Sequence, residues 1–273
     1  MKFSLSFVLL AFAMNAADHP ASPFRDPNLD SIVRKYLANV KPGEPLSEAS
    51  LQTATLVSEQ TTPVKDLTGL DQCKNLRYLY LKASPIGDLT PLAQLQDLET
   101  VTIRGGMIHD LTPLAGLAKL EYLDLSQNEI SDLKPLASLK SLKYLYLSDN
   151  KISDLSPLQG LINLQSIHLD GNQVSDVSPL ANLKNLTSAD LRRNRITDIN
   201  PLGKLTNWHD LYLDQNQISD LAPIVAATEI DAKHAITPVR TLSVKANPLS
   251  ANARTHELPE LEKRVFDVLI DKN

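Results

Sequence analysis

Apolar residues recur along this chain with a period of 22 residues, and the polar positions between them recur in the same frame. One copy has an asparagine at Asn150 and apolar residues at Leu142, Leu145, Leu147, Ile152, Leu155, Leu158 and Leu161. Eight copies of the frame begin at Leu76, Leu98, Leu120, Leu142, Leu164, Leu186, Trp208 and Val239. Such a fixed period predicts a stack of similar units, each burying its apolar side chains against its neighbours.

Each copy contains the parts of one coil. Leu145 and Leu147 alternate with other residues, which predicts a short strand with both leucines facing the core. Asn150 follows the strand, and its amide can satisfy backbone groups that have lost their ladder partners. The remaining residues of the 22-residue copy leave room only for a short helical segment, 3₁₀ in places, which returns the chain to the next strand. Stacking the coils predicts a right-handed α/β solenoid with a parallel sheet on its concave side.

The return segments carry two polar columns. Seven of the 17 prolines occupy one position, usually after Ser, Thr or Asn as in Ser156-Pro157, which predicts a polar cap before Pro at the first helical position. An aspartate stands two residues before that cap in eight coils, as at Asp154. This row of carboxylates could bind a metal, but its place at the outer bend favours turn capping near helix N-termini.

The ends of such a stack need caps, because the terminal coils lack a neighbour on one side. Asp26-Pro27 predicts a helix start, and the apolar residues from Leu29 to Val40 follow with helical spacing. Residues 46–66 predict a degenerate first coil. Near the other end, Leu258, Leu261, Val265 and Leu269 predict a closing helix from about Pro259 to Ile270.

One insertion interrupts the repeat. Asn216 and Asn247 are 31 residues apart instead of 22, and the extra nine residues fall near Ala226 to Thr237, which we expect to bulge from the return side. The predicted divisions of the chain are a signal peptide at 1–17, a helical N-terminal cap at 18–66, leucine-rich repeats at 67–250 and a C-terminal capping helix at 251–273.

The first residues predict export. Lys2 precedes an apolar stretch, Phe3 to Ala13, and small residues at Ala13, Ala16 and Ala17 offer alternative cleavage sites of a secretory signal peptide. No apolar run reaches the roughly 18 residues of a membrane helix. We therefore predict a protein that is secreted or periplasmic, with no membrane insertion.

Composition excludes several other classes. The formal charge of −5, from 27 basic and 32 acidic residues, does not favour nucleic acid as a partner. The single cysteine excludes an intrachain disulfide and argues against a thiolate zinc site. We expect no cofactor and no metal.

The frame Asn-x-Ile-Ser-Asp-Leu-x-Pro-Leu at Asn128 to Leu136 and Asn150 to Leu158 resembles the bacterial internalin-type leucine-rich repeats. The segments Asp26 to Leu29 and Asp66 to Leu70 are similar to the caps of secreted members of that group. This resemblance covers roughly residues 24–250. It implies a curved solenoid that binds protein or other extracellular ligands on its concave face.

Three outward columns of the predicted sheet are the candidate binding surface. They hold six of the seven tyrosines, and tyrosine gives large amphipathic contact area at low entropic cost. The alternative is that these tyrosines only stabilise the strands across the ladder. The candidate ligand-binding residues are Tyr78, Tyr80, Tyr122, Tyr144, Tyr146, His168, Asp170, Asp190, Arg192 and Tyr212.

Catalysis and metal binding are less well supported on this face than ligand binding. Ser148, His168 and Asp190 lie on successive predicted strands, but an open sheet supplies no oxyanion hole. His168 with Asp170 and Asp190 could hold a metal only weakly. We therefore predict a monomeric, non-catalytic binding module for a protein partner, or for a peptide or glycan. The alternative is a structural protein of an envelope or matrix that assembles with itself.

Overall fold

The structure is a computed structural model that describes residues 22–271 apart from 39, 42 and 235–238. The predicted signal peptide, residues 1–17, lies outside the described residues. Within them, ten strands form one parallel sheet in chain order. They are β1 Leu56–Glu59, β2 Tyr78–Leu81, β3 Thr100–Ile103, β4 Tyr122–Asp124, β5 Tyr144–Tyr146, β6 Ser166–His168, β7 Ser188–Asp190, β8 Asp210–Tyr212, β9 Thr241–Ser243 and β10 Asp267–Leu269. The predicted leucine-rich-repeat solenoid is confirmed, with one more strand at each end than the eight copies predict.

The repeat period sets the register of the sheet. Leu145 lies opposite Leu123 on one side and Ile167 on the other, each 22 residues away. Leu145 and Leu147 are fully buried, as the alternation predicts. Because successive strand residues point to opposite faces, their neighbours Tyr144 and Tyr146 point away from the core.

Short 3₁₀ turns make the return side of most coils. They lie at Leu70–Gln72, Thr90–Leu92, Thr112–Leu114, Lys134–Ser138, Ser156–Leu158, Ser178–Leu180 and Leu202–Lys204. Helix α3, Ala222–His234, takes the place of the next turn and packs against Leu202–Lys204. The insertion is therefore on the return side as expected, but its first part is a packed helix rather than a bulge, with Ile224, Ala227 and Thr228 buried.

The aspartate column caps these turns. In every coil its Oδ1 accepts the backbone N–H two residues later, as Asp154 does from Ser156 at 2.8 Å. The aspartates are Asp66, Asp88, Asp110, Asp132, Asp154, Asp176, Asp198 and Asp220. The capping interpretation is confirmed for them, whereas the predicted cap role of Ser156 is wrong. Ser156 is the first residue of its turn, and its own N–H is the donor that Asp154 satisfies.

The asparagine column joins neighbouring coils. Asn150 Nδ2 donates to Leu147 O of its own coil and to Leu125 O of the preceding coil, both at 3.0 Å. Its Oδ1 accepts the backbone N–H of Ile130, also in the preceding coil, at 3.0 Å. The same three bonds recur at Asn128, Asn172, Asn194, Asn216 and Asn247.

Helices cover the N-terminal end of the core. Helix α1, Pro27–Arg34, begins where Asp26 Oδ1 accepts the N–H of Asn28 at 2.8 Å. Its residues Leu29, Ile32 and Val33 are buried. Helix α2, Glu48–Leu51, and strand β1 make up the degenerate first coil, which the sequence predicts only as irregular.

The C-terminal end differs from the prediction. Helix α4, Leu258–Glu262, continues from a π-helical turn at Ala253–Glu257 and ends eight residues before the predicted Ile270. The reason is that the following backbone pairs with β9, where Asp267 N donates to Arg240 O at 2.8 Å. The predicted continuation of the helix is therefore replaced by strand β10. The C-terminal helix itself is confirmed.

Replacing Asn150 by Ala should lower the free energy of unfolding by about 2 kcal/mol, because it leaves the buried N–H of Ile130 without its acceptor. It also removes one of the two amide donors of the Leu125 and Leu147 carbonyls, which keep their bonds from Asn128 and Asn172. Asn163 is the matched control, since it is exposed and donates only to Lys140 O at 2.8 Å. Asn163→Ala should cost less than about 1 kcal/mol. Denaturant unfolding measures both, and equal losses would show that the asparagine column does not hold the coils together.

Candidate functional site

Four aromatic side chains form a continuous cluster on the concave face. The ring centroid of Tyr122 lies 6.0 Å from that of Tyr144 and 5.2 Å from that of Tyr146. The Tyr146 ring meets the His168 ring edge-on at 4.5 Å. Tyr144 is the most exposed member, at 36%, and its hydroxyl bonds with Gln165 Oε1 at 3.0 Å. The register of β4, β5 and β6 therefore brings four of the predicted site residues together.

Burial changes the protonation chemistry of this cluster. It raises the pKa of Tyr122 to about 12, with a smaller contribution from the negative charge of Asp124. It also lowers the pKa of His168, although Asp190 and Asp170 act in the opposite direction. Both rings are therefore uncharged near neutral pH, and they offer aromatic surface rather than charge.

Two internal ion pairs flank the aromatic cluster. On one side Arg104 Nε donates to Asp124 Oδ2 at 2.6 Å, and on the other Arg192 Nε donates to Asp190 Oδ1 at 2.8 Å. Both aspartates are buried, and these bonds raise the pKa of each arginine. The Arg192 guanidinium also lies over the Tyr212 ring, 5.4 Å from its centroid.

A third arginine reaches across two neighbouring coils. Arg193 Nη2 donates to Asp170 Oδ2 at 2.6 Å and to Asp149 Oδ1 at 2.8 Å. Gly171 lies between these partners with φ of +70°, and a Cβ there would come within 2.3 Å of Asp149 Oδ1. A side chain here would push aside the ends of Asp149 and Arg193, so the glycine leaves room for the ion pair. Arg192 and Arg193 therefore belong to a salt-bridged face.

These groups surround a depression of about 460 Å³. Six of the predicted residues line it, namely Tyr122, Tyr146, His168, Asp170, Asp190 and Arg192. Five further lining residues were not predicted as site residues, namely Arg104, Ser126, Gln127, Ser148 and Asp149. Arg104, Ser126 and Ser148 belong to the outward column after the second inward residue, so the period does contain a signal for them. Gln127 and Asp149 have a positive φ after their strands, which the repeat pattern does not reveal.

The remaining predicted residues lie outside the depression. Tyr78 is two strands away in β2, where its hydroxyl donates to Glu99 Oε2 at 3.0 Å and Arg77 lies over its ring. Tyr80 shares that strand and is half-buried. Tyr212 lines a second depression of about 440 Å³ beside Lys245 and Leu269. Tyr144 does not line the depression, but its ring packs beside that of Tyr122, which does.

The geometry offers little for catalysis or metal binding. Within the described residues, His168 makes no hydrogen bond to Ser148 or Asp190, and Asp190 is bound by Arg192 instead. The part of the chain that the structure describes contains no group of three or more His, Cys, Asp or Glu side chains that could hold a metal ion. Cys73 is fully buried in the core, and burial raises the pKa of its thiol to about 12.

Comparisons with known proteins agree with this architecture. Residues 140–182 and 184–225 match the protein-family model described as "Leucine Rich repeats (2 copies)", and residues 96–152 match "Leucine rich repeat". No curated protein matches the sequence significantly. The 22-residue coils and these matches define a leucine-rich-repeat protein.

Solved structures identify the family. The chain is 32% identical to internalin C2 of Listeria monocytogenes, covering 92% of this chain and 97% of that one with a TM-score of 0.74. It is 26% identical to the internalin InlF of the same organism, covering 94% and 87% with a TM-score of 0.69. The chain therefore belongs to the internalin-like leucine-rich-repeat proteins.

A more distant structure shares the fold alone. It is the leucine-rich-repeat ectodomain of a plant membrane receptor kinase from Arabidopsis thaliana, solved in complex with Casparian strip integrity factor 2. Identity is 18%, the match covers 82% of this chain and 28% of that one, and the TM-score is 0.64. No helix among the described residues of this chain is long and apolar enough to cross a membrane.

His168 should titrate with a midpoint below its ordinary value of 6.5, because the surrounding side chains desolvate its charged form. Between the folded and unfolded values the unfolded chain binds more protons, so acidification through this range should lower the free energy of unfolding. NMR titration of the ring protons measures the midpoint. Tyr146→Ala should move it upward by exposing the ring. A midpoint unaffected by that change would contradict burial as the cause.

Proposed function

We propose that this protein is a non-catalytic binding module that recognises a protein partner on its concave sheet face. The observation that carries the proposal is the aromatic cluster of Tyr122, Tyr144, Tyr146 and His168, whose flanking charges already have partners within the chain. A partner can therefore bury these rings without leaving Asp124 or Asp190 as an unpaired charge. Ring contacts across the strands also fit the ladder alternative, and the binding test separates the two.

The size of the face suits a protein partner. Ten strands at about 4.8 Å give a sheet about 43 Å long, and the three outward positions of each strand span about 16 Å. The resulting area of about 700 Å² is close to the roughly 800 Å² per partner of a standard interface. The proposed contact residues are the ten predicted ones, with the aromatic cluster at the centre. Tyr78, Tyr80 and Tyr212 lie toward the ends.

The fold is compatible with the same function. The plant receptor ectodomain that shares this fold was solved in complex with Casparian strip integrity factor 2, so a solenoid of this kind can hold a binding partner. The arrangement of charges supports pre-organisation, since Arg193 holds Asp149 and Asp170 at the wall of the depression before a partner arrives. We also propose that the protein is exported after cleavage at Ala13, Ala16 or Ala17, and that it works as a monomer.

Tyr144→Ala and Tyr146→Ala should each weaken partner binding by more than about 1 kcal/mol, roughly fivefold or more, because hot spots concentrate in central aromatic residues. The partner is first captured from culture medium or from neighbouring cells with the immobilised protein, and affinities are then measured by calorimetry.

The matched control is Gln159→Ala, an exposed change on the return side that should leave affinity unchanged. Melting curves establish that all variants fold. If both tyrosine variants bind normally while a return-side change abolishes binding, the concave face is not the binding surface. The tyrosines would then act only as ladder stabilisers.

A further inference from the structure

The two edge strands of the sheet, β1 and β10, differ in how far other parts of the chain cover them. At the first edge, α1 packs against β1, and the Tyr36 hydroxyl donates to Ser58 O of that strand at 2.9 Å. Lys35 also bonds with Glu59 Oε2 at 3.2 Å. The outer side of β1 is therefore covered by α1 and the residues after it, and the Ser58 carbonyl has a side-chain partner there.

The edge at β10 has no such cover within the described residues. Asp267 N donates to Arg240 O at 2.8 Å, and Leu269 O accepts from Val244 N at 3.0 Å, so both residues direct their backbone groups toward β9. Backbone groups of successive strand residues point to opposite edges, which leaves the N–H and C=O of Val268 pointing outward. An unpaired strand edge is a template for another strand.

The side chains along this edge form two rows. Val268 and Ile270 are only partly buried against the end of the core, and the preceding Phe266 is 84% exposed. Asp267 lies on the concave side, as do Leu269 and Asp271, and Asp271 Oδ2 accepts the N–H of Ala246 at 2.8 Å, which leaves Oδ1 for a partner. One row therefore offers apolar surface, and the other offers negative charge.

We propose that the β10 edge binds an extended segment of a partner protein in which basic and apolar side chains alternate. The segment adds an eleventh strand, and its backbone pairs with the outward groups of Val268. Its apolar side chains cover Val268 and Ile270, and its Lys or Arg side chains face Asp267 and Asp271 across the strands.

Charge decides between this occupant and a second copy of the chain. In a two-fold antiparallel pair centred on Val268, each Asp267 lies diagonally next to both Asp267 and Asp271 of the other copy. Diagonal neighbours are about 7–8 Å apart, so these like charges repel in the self-pair. A basic segment reverses the sign of the same interaction, and for this reason the edge fits a different chain better than itself.

The test uses two synthetic peptides and the full chain. The probe is acetyl-Thr-Lys-Val-Lys-Val-Lys-Thr-amide, and the matched peptide carries Glu in place of each Lys. We expect calorimetry to show binding of the Lys peptide only. Hydrogen exchange should show that the Val268 and Ile270 amides become protected when it binds.

Two substitutions and one control locate the site. Val268→Pro removes an outward N–H without breaking a ladder bond to β9, and it should lower the affinity for the Lys peptide at least tenfold. Asp267→Lys should do the same and should allow the Glu peptide to bind. Asp210→Lys is the control, because Asp210 lies on β8, away from the edge, with no ion-pair partner among the described residues. It should change the affinity less than threefold.

Several results would overturn the proposal. One is failure of the Lys peptide to bind. Another is binding of the Lys peptide without protection of the Val268 amide. A third is an equal loss of affinity for the Lys peptide in the Asp210→Lys and Asp267→Lys variants. In both cases charge alone would attract the peptide to the face. A dimer in sedimentation that Val268→Pro abolishes would assign the edge to a second copy instead.

Discussion

The buried asparagine column is the constraint on which the rest of the structure depends. Each of these side chains satisfies carbonyls of two coils and one N–H of the preceding coil, so it fixes where a strand ends and how far the next coil is displaced. Where Ser84 interrupts the column, its Oγ accepts the N–H of Val64 at 3.1 Å, and where Gly106 interrupts it the backbone compensates. At Gly106, a Cβ would lie 2.6 Å from Ile86 O, and Ile86 N donates to Ser84 O at 2.7 Å instead of to an asparagine. Strands β2 and β3 are correspondingly one residue longer than those from β4 to β9.

Because the coils repeat in fixed register, the burial of the core side chains also determines which side chains lie next to each other on the concave face. The same period that buries Leu123, Leu145 and Ile167 places Tyr122, Tyr144 and Ser166 side by side on the other face. Small residues such as Ser166 and Ser188 then leave room beside the aromatic rings. Arg104, Arg192 and Arg193 use their length to reach aspartates of the same or neighbouring coils, which neutralises the flanks of the aromatic cluster. The core therefore positions the proposed binding surface.

The period explains which features could be predicted from the sequence. It gives the strands β2 to β9, their register and the outward columns, because these depend only on alternation and spacing. It does not give ionic partners, since Arg193 selects Asp149 across Gly171 through a contact 44 residues apart in the chain. It also fails at the ends. The residues Phe266 to Ile270 alternate weakly and also fit a helical spacing, so the strand β10 becomes visible only through its pairing with β9.

The central claim is that the aromatic cluster on the concave face contacts the partner. The most direct measurement places a photo-crosslinking amino acid at Tyr144 in one variant and at Gln159 in another, and exposes each to the mixture that contains the partner. We expect a crosslinked protein of the same mass in repeated experiments from position 144 and none from position 159. Crosslinking from position 159 without crosslinking from position 144 would contradict it and move recognition to the return side.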